Sequence, residues 1–329
     1  MKFSTIKNGL LATAAAGVMA MSVSGPAKAD AIGFASMVIT SAMVSNAGGQ
    51  LDGTMGTGDF TSLGVQNQAT SNATLTGFAD TSENSGLVGG LGQVSIPMSC
   101  LGACLAGYEN LFDQGSTIGG GGAPSFSRGD GDITGALVTG LPVPSTVTAQ
   151  VVAESVVRGE KAGTSAGTTG TNSSFTFALA QAGGVTISFD ADIDLLADLT
   201  SETRNGAFAS ASAGLTISIQ DDQGATVFEW TPNGLAGGIS GGTELSDPYD
   251  LTRNLSNVNE GVAASFSMSG GSFSAVSGPL SAGIEYTLNI NQDATSQATA
   301  VPEPGTLGLL GAGLVALGVT RRRMAKKAA

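Results

Sequence analysis

The chain has 329 residues, with 26 acidic and 13 basic side chains, no histidine and a formal net charge of −13. The missing imidazole removes the usual general base of serine and cysteine hydrolases and the commonest zinc or copper ligand, and the acidic balance argues against nucleic acid as a partner. Charged residues make up only 12% of the chain and glycine alone contributes 50 residues, so helix formers are too few for a bundle and an all-β protein with long Gly/Ser/Thr loops is expected.

At the start, Lys2 and Lys7 precede an apolar segment over 9–23, and Ala27-Lys28-Ala29 follows it. This is the order of a signal peptide over 1–29, with cleavage between Ala29 and Asp30. An uncleaved N-terminal anchor is the alternative. The ectodomain is then 30–300. It carries Arg128, Arg158, Lys161, Arg204 and Arg253 against 25 carboxylates, a formal charge of −20. That length can bury a core as one large unit, or as an irregular part over 30–145 and a clearer sandwich over 146–300.

In chain order, residues 32–44 are apolar and small, and fit one strand or a short helix. Residues 51–59 read as a loop, and 65–78 as a strand with Thr and Asn outward. The cysteine segment follows; then 116–127, with four consecutive glycines, reads as a loop. Asp130-Gly131-Asp132 reads as an acidic turn, 133–138 as a short strand ended by Pro142 and Pro144, and 146–158 as a strand. Residues 159–172 read as a Gly/Thr/Ser connector. Beyond it, strict alternation appears. Phe175, Phe177 and Leu179 share a face, as do Val185, Ile187 and Phe189; Leu215, Ile217 and Ile219; Phe228 and Trp230; Phe266 and Met268; and Ile284, Tyr286, Leu288 and Ile290. Two-residue alternation with one apolar face is what a half-buried antiparallel strand requires. The expected fold is an antiparallel β-sandwich, jelly-roll-like, with Asp221-Asp222-Gln223-Gly224 as a hairpin turn.

Few groupings suggest chemistry. Cys100 and Cys104 are the two cysteines. In an exported chain they most simply form one disulfide across three residues, pinning a local turn; a redox pair lacks its context, and a metal site lacks two further soft ligands. Asp190, Asp192 and Asp194 alternate along one strand face, with Asp198 close by. They are Ca²⁺ candidates, because that ion takes six to eight oxygens, yet they lack the EF-hand glycine and terminal Glu and also read as a solvated strand end and loop. No other cofactor is expected. Glu154, Glu229, Glu285 and Asp190 are not paired by any spacing that a glycosidase needs. Trp230 and Tyr286 fall in phase with core positions rather than forming a sugar platform. No catalytic residue emerges, and the chain reads as non-enzymatic.

The C-terminal end is the most specific segment. Val301-Pro302-Glu303-Pro304 is stiff and extended, because prolines lack amide hydrogens and restrict their neighbours. Residues 305–320 carry no charge, and Arg321-Arg322-Arg323 closes the run with a basic stop on the cytoplasmic side. As a helix the run spans roughly 24 Å, short of a ~30 Å hydrocarbon core. The whole block, 301–329, resembles the PEP-CTERM sorting signal of bacterial surface proteins. That resemblance implies exosortase as a partner and a membrane anchor through the C-terminal helix before processing; a permanent single-span anchor is the alternative. The order of the Cys-x-x-x-Cys loop, Ser174-Phe175-Thr176-Phe177, Ile187-Ser188-Phe189-Asp190-Ala191-Asp192, Val227-Phe228-Glu229-Trp230-Thr231-Pro232-Asn233-Gly234, Asp247-Pro248 and Tyr286-Thr287-Leu288 resembles the EDSAP family of exosortase-dependent surface proteins. This second resemblance implies display at the cell surface and association with exopolysaccharide in a biofilm matrix, and supplies no catalytic residues. A secreted carbohydrate-binding or carbohydrate-active protein and a Ca²⁺-stabilised adhesin are the competing expectations.

Overall fold

The computed structural model describes residues 30–46, 55, 57–76, 82–89, 93–102, 109–112, 125–138, 141, 146–158, 163–199, 206–259 and 261–301. Among them sixteen strands occur: β1 (Ala31–Asn46), β2 (Phe60–Leu75), β3 (Ser82–Gly89), β4 (Val94–Ser95), β5 (Ser99–Gly102), β6 (Phe126–Thr134), β7 (Val147–Val157), β8 (Gly163–Leu179), β9 (Val185–Leu199), β10 (Phe208–Asp221), β11 (Thr226–Trp230), β12 (Ile239–Ser240), β13 (Gly242–Ser246), β14 (Arg253–Asn257), β15 (Ala264–Ser277) and β16 (Glu285–Ala300). Sheet one runs β13-β15-β9-β1-β7-β6, with β4 and β5 along the free edge of β6. Sheet two runs β12-β11-β10-β16-β8-β2-β3, with β14 beside β10. Every pairing is antiparallel. The two sheets pack face to face, β1 against β16 and β7 against β8, as the all-β sandwich that the alternation predicts.

The sandwich is a wedge. One half is wide and filled with aromatic rings: Phe175 and Phe177 stack at 5.2 Å, Phe189 and Phe273 at 5.1 Å, and Trp230 is fully buried. The other half, which holds the start of β1 and the end of β16, is thin and lined by Gly, Ala, Ser and Thr. A methyl group added at Gly33 would lie 2.4 Å from the Ser210 carbonyl oxygen, and one at Gly129 2.7 Å from that of Thr168. Hydroxyls bond across this narrow gap. Ser165 donates to the Phe126 carbonyl (2.7 Å), Ser127 to that of Ala166 (2.6 Å), and Thr169 to that of Asp130 (2.9 Å). Each of these hydroxyls is buried, and each recovers in the opposite sheet the hydrogen bond it lost with water.

The thin half accounts for the first place where the sequence reading departs from the structure. Residues 163–172, expected as a connector, form the first part of β8, between β16 and β2. Asp130-Gly131-Asp132 is not a turn but the middle of β6, and 135–138 are not strand. The Asp190–Asp198 stretch is not a strand end, because β9 continues to Leu199. Ile284, placed by its phase with the core face, is exposed just before β16. Met268, expected to share an apolar face with Phe266, is also exposed, and Phe126 and Ser127 belong to β6 rather than to a loop. Several expectations hold. Residues 32–44 are strand, Thr70, Asn72 and Thr74 face outward on β2, and 221–224 form the turn, closed by Gly224 N–H to the Asp221 carbonyl (2.9 Å) with Gly224 at φ +77°. Strands from 30–145 and 146–300 interleave: β1 lies between β7 and β9, and β2 beside β8.

Candidate functional site

The tail leaves the sandwich without a linker. Ala300 is buried and still paired with Gly163, and Thr299 pairs with both Phe208 and Thr164. Val301 is half-buried beside Gly206. The first residue after the expected signal cleavage emerges at the same end: Asp30 lies 4.0 Å from Arg158 in an ion pair, and Ala31 stands opposite Val157 and Leu199. Both ends of the ectodomain therefore meet at the thin edge of the wedge. Ala29, Pro302, Glu303, Pro304, the 305–320 run and Arg321, Arg322 and Arg323 lie outside the described residues. Among the described residues no helix is long and apolar enough to cross a membrane.

The outer face of sheet one carries the carboxylates. Asp190, Asp192 and Asp194 project from it in a row, opposite Thr40, Val38 and Ser36 of β1. Two are engaged by β15: the Ser272 hydroxyl donates to Asp190 (2.6 Å) and the Gly270 amide to Asp192 (2.6 Å). Burial raises the pKa of Asp194. Beside them a groove of about 190 Å³ runs between Phe112 and Met268. Among the described residues no group of three or more Asp, Glu, Cys or His is arranged to hold a metal.

On the same face, sequence reasoning missed a buried charge cluster. Arg128 of β6 and Glu154 of β7 are fully buried and paired at 3.0 Å, and Asp130 is buried next to them. Residues 109–112 cover the cluster. Arg128 donates to the Leu111 carbonyl (3.3 Å), Asp130 accepts from the Asn110 amide (2.6 Å), and the Ser36 hydroxyl bonds the Phe112 carbonyl. Phe112 packs on Phe34 and Val152. Burial lifts Asp130 to about 6 and Glu154 to about 7, against the lowering pull of Arg128. The signal was present in the sequence, since Glu154 interrupts an apolar strand and Arg128 is one of five ectodomain cations.

A second carboxyl pair lies where the chain crosses between sheets. Asp247 accepts the amides of Asn233 and Gly234, both at 2.9 Å, and Trp230 Nε1 donates to Glu244 at 3.4 Å. Burial, and then the hydrogen-bonded Glu244 carboxyl, raise Asp247 to about 6. A cleft of about 460 Å³ borders them. Asp247 is occupied in closing the 233–234 turn. Glu229 and Glu285 are exposed and apart, while Trp230 and Tyr286 are core, as their phase predicts. Cys100 lies on β5 opposite Arg128, and Cys104 lies outside the described residues.

These carboxyls set a pH dependence. Asp130, Glu154 and Asp247 hold their protons more tightly folded than unfolded, where they titrate near 4. The folded state thus carries no charge-burial cost below about pH 4, gains it through pH 4–7 and carries it fully above. The melting temperature should fall by several degrees from pH 5 to pH 8, and Asp130→Asn should flatten the slope. A melting temperature that is level or rises over this range contradicts the assignment.

The outer face of sheet two is of a different kind. Across β10, β16, β8 and β2 its rows read Ser218-Asn289-Ser174-Gln66, Thr216-Asn291-Asn172-Gln68 and Ser212-Thr295-Thr168-Asn72. Neighbouring side chains bond along a row, Ser212 to Thr295 at 2.5 Å and Asn172 to Asn291. From the Thr287 row to the Thr299 row, Asp293 is the one charged residue on these four strands.

Comparison with known proteins bears on the tail. Residues 300–323 match the model of the PEP-CTERM protein-sorting motif. The chain carries a PEP-CTERM sorting signal. It is accordingly an exported surface protein sorted by exosortase, held in the membrane by its C-terminal signal before processing. The match begins at Ala300, the last residue of β16, and leaves the ectodomain, with its EDSAP resemblance, untouched. No curated protein matches the chain. Among solved structures, one of infectious bursal disease virus Gx strain aligns at 14% identity over 84% of this chain and 68% of that one, with a TM-score of 0.10, too low to carry any argument.

Proposed function

We propose that the PEP-CTERM signal delivers a non-enzymatic structural protein of the cell-surface matrix, and that its ectodomain associates with exopolysaccharide through the outer face of sheet two. The observation that carries this reading is the hydroxyl and amide surface on β10, β16, β8 and β2, interrupted by the single charge of Asp293. Three strand spacings and six double-residue steps make it roughly 15 Å by 40 Å. A neutral polymer lying on it exchanges water hydrogen bonds for side-chain ones, and with Asp293 the one charge there, little charge has to be desolvated. Phe208, half-buried in the Thr299 row, is the one aromatic ring among these rows, which favours many weak contacts along a chain over a tight monosaccharide pocket. The EDSAP resemblance supports the same partner.

Co-sedimentation of the full-length protein with the host's exopolysaccharide and with a neutral glucan tests the proposal. Thr168→Glu/Asn291→Glu, both outward on central strands, should weaken binding at least tenfold and leave the melting temperature nearly unchanged. Equal binding by the variant, or no binding by the parent, overturns it.

A further inference from the structure

The thin end of the wedge carries exposed apolar side chains that the core does not use. Val258 and Val262 are 68% and 63% exposed. They flank the turn between β14 and β15. Asn257, level with Ala209 and Ala298, pins this turn by donating from its amide to the Ala197 and Val262 carbonyls, and the Gly261 amide bonds the Leu199 carbonyl at 2.9 Å. Leu199 stands opposite Ala31, and Phe208 opposite Thr299. The two valines are thus fixed at the end of the sandwich from which β16 leads into the sorting signal.

Chain length then sets their distance from a bilayer. Four residues, Val301 to Pro304, separate Ala300 from the apolar run. Fully extended they span at most about 14 Å, and the two prolines prevent them from folding away as a helix. While the tail is in the membrane, this end of the sandwich cannot move further off. We infer that the Val258–Val262 turn is a membrane-contacting element, which rests on the headgroup–acyl boundary and stands the ectodomain end-on, its strands rising away from the bilayer. The polar Asn259 between the valines keeps the contact shallow. The occupant is lipid because the tether places it there; a contact with exosortase instead is an outcome of the test. The inference rests on the sorting tail alone and is independent of the polysaccharide reading.

Full-length protein carrying Val262→Trp is reconstituted through its tail in phosphatidylcholine vesicles, with and without brominated acyl chains. Neutral lipid avoids repulsion of the acidic ectodomain. The native Trp230 is fully buried and supplies a constant background. Leu245→Trp, at an exposed site on β13 in the wide half, is the control, since Ser246 pairs with Ser274 and Ser274 with Ser188. Unchanged circular dichroism reports that both variants fold. The added tryptophan at 262 should shift to the blue and lose about half of its emission or more in brominated vesicles, while that at 245 should not respond. Equal behaviour of the two variants overturns the inference, including the case in which the turn serves a protein partner and not lipid.

Discussion

Gly167→Val should leave little folded protein. A methyl group at position 167 would lie 2.3 Å from the Arg128 carbonyl oxygen and 3.1 Å from that of Glu154, both backbone atoms of the facing sheet. Neither can rotate away, so accommodation means prising the sheets apart in the half where Ser127, Ser165 and Thr169 bond across the gap. Overpacking alone costs about 1–3 kcal/mol, and breaking those hydrogen bonds adds to it. Against a total stability of roughly 5–15 kcal/mol, the variant should be mostly unfolded or melt far below the parent. Gly64→Ala is the contrast. Its new methyl group would meet only the Thr176 Cβ, at 3.9 Å, and should be neutral or stabilise by about 0.5–1 kcal/mol. Urea unfolding followed through buried Trp230 reads both. A Gly167→Val protein of parental stability would show that the thin half is not closely packed.

Arg128→Met should cost about 3–5 kcal/mol, because it leaves Glu154 and Asp130 buried without a cation. The loss should be larger at pH 8 than at pH 5, where both carboxyls are largely neutral in the folded state. Arg128→Met/Glu154→Leu should recover most of the stability, since removing both partners removes the desolvation cost as well. The same urea titration at two pH values measures this. A pH-independent loss, or a double variant no better than the single one, would contradict a buried charge cluster. If the cluster holds residues 109–112 over sheet one, protease sensitivity of that segment should rise in step.

Part of this molecule is legible residue by residue. Phe175, Phe177, Ile187, Phe189, Ile217, Phe228 and Trp230 fall in phase and lie in the core, because the wide half of the wedge needs large apolar side chains and strands supply them every second position. Residues 163–172 have the same period but write it in Ser, Gly and Thr, which resembles a loop. The alternation there is one of size and depth, and it becomes visible only once the facing backbone is known. Sequence spacing hides the Arg128–Glu154 pair for a related reason: the partners are 26 residues apart and meet through the β6–β7 register, Arg128 opposite Glu154.

The sequence by itself determined the address and the class of fold. Targeting signals are read as short linear stretches, and strand alternation is a local consequence of the pleat, so neither depends on distant residues. Tertiary structure alone decided the wedge, the buried charges and the meeting of Asp30 and Val301 at one end. Each depends on which backbone faces which across the sandwich, and that is set by pairings between segments far apart in the chain, β1 with β9 and β16 with β8.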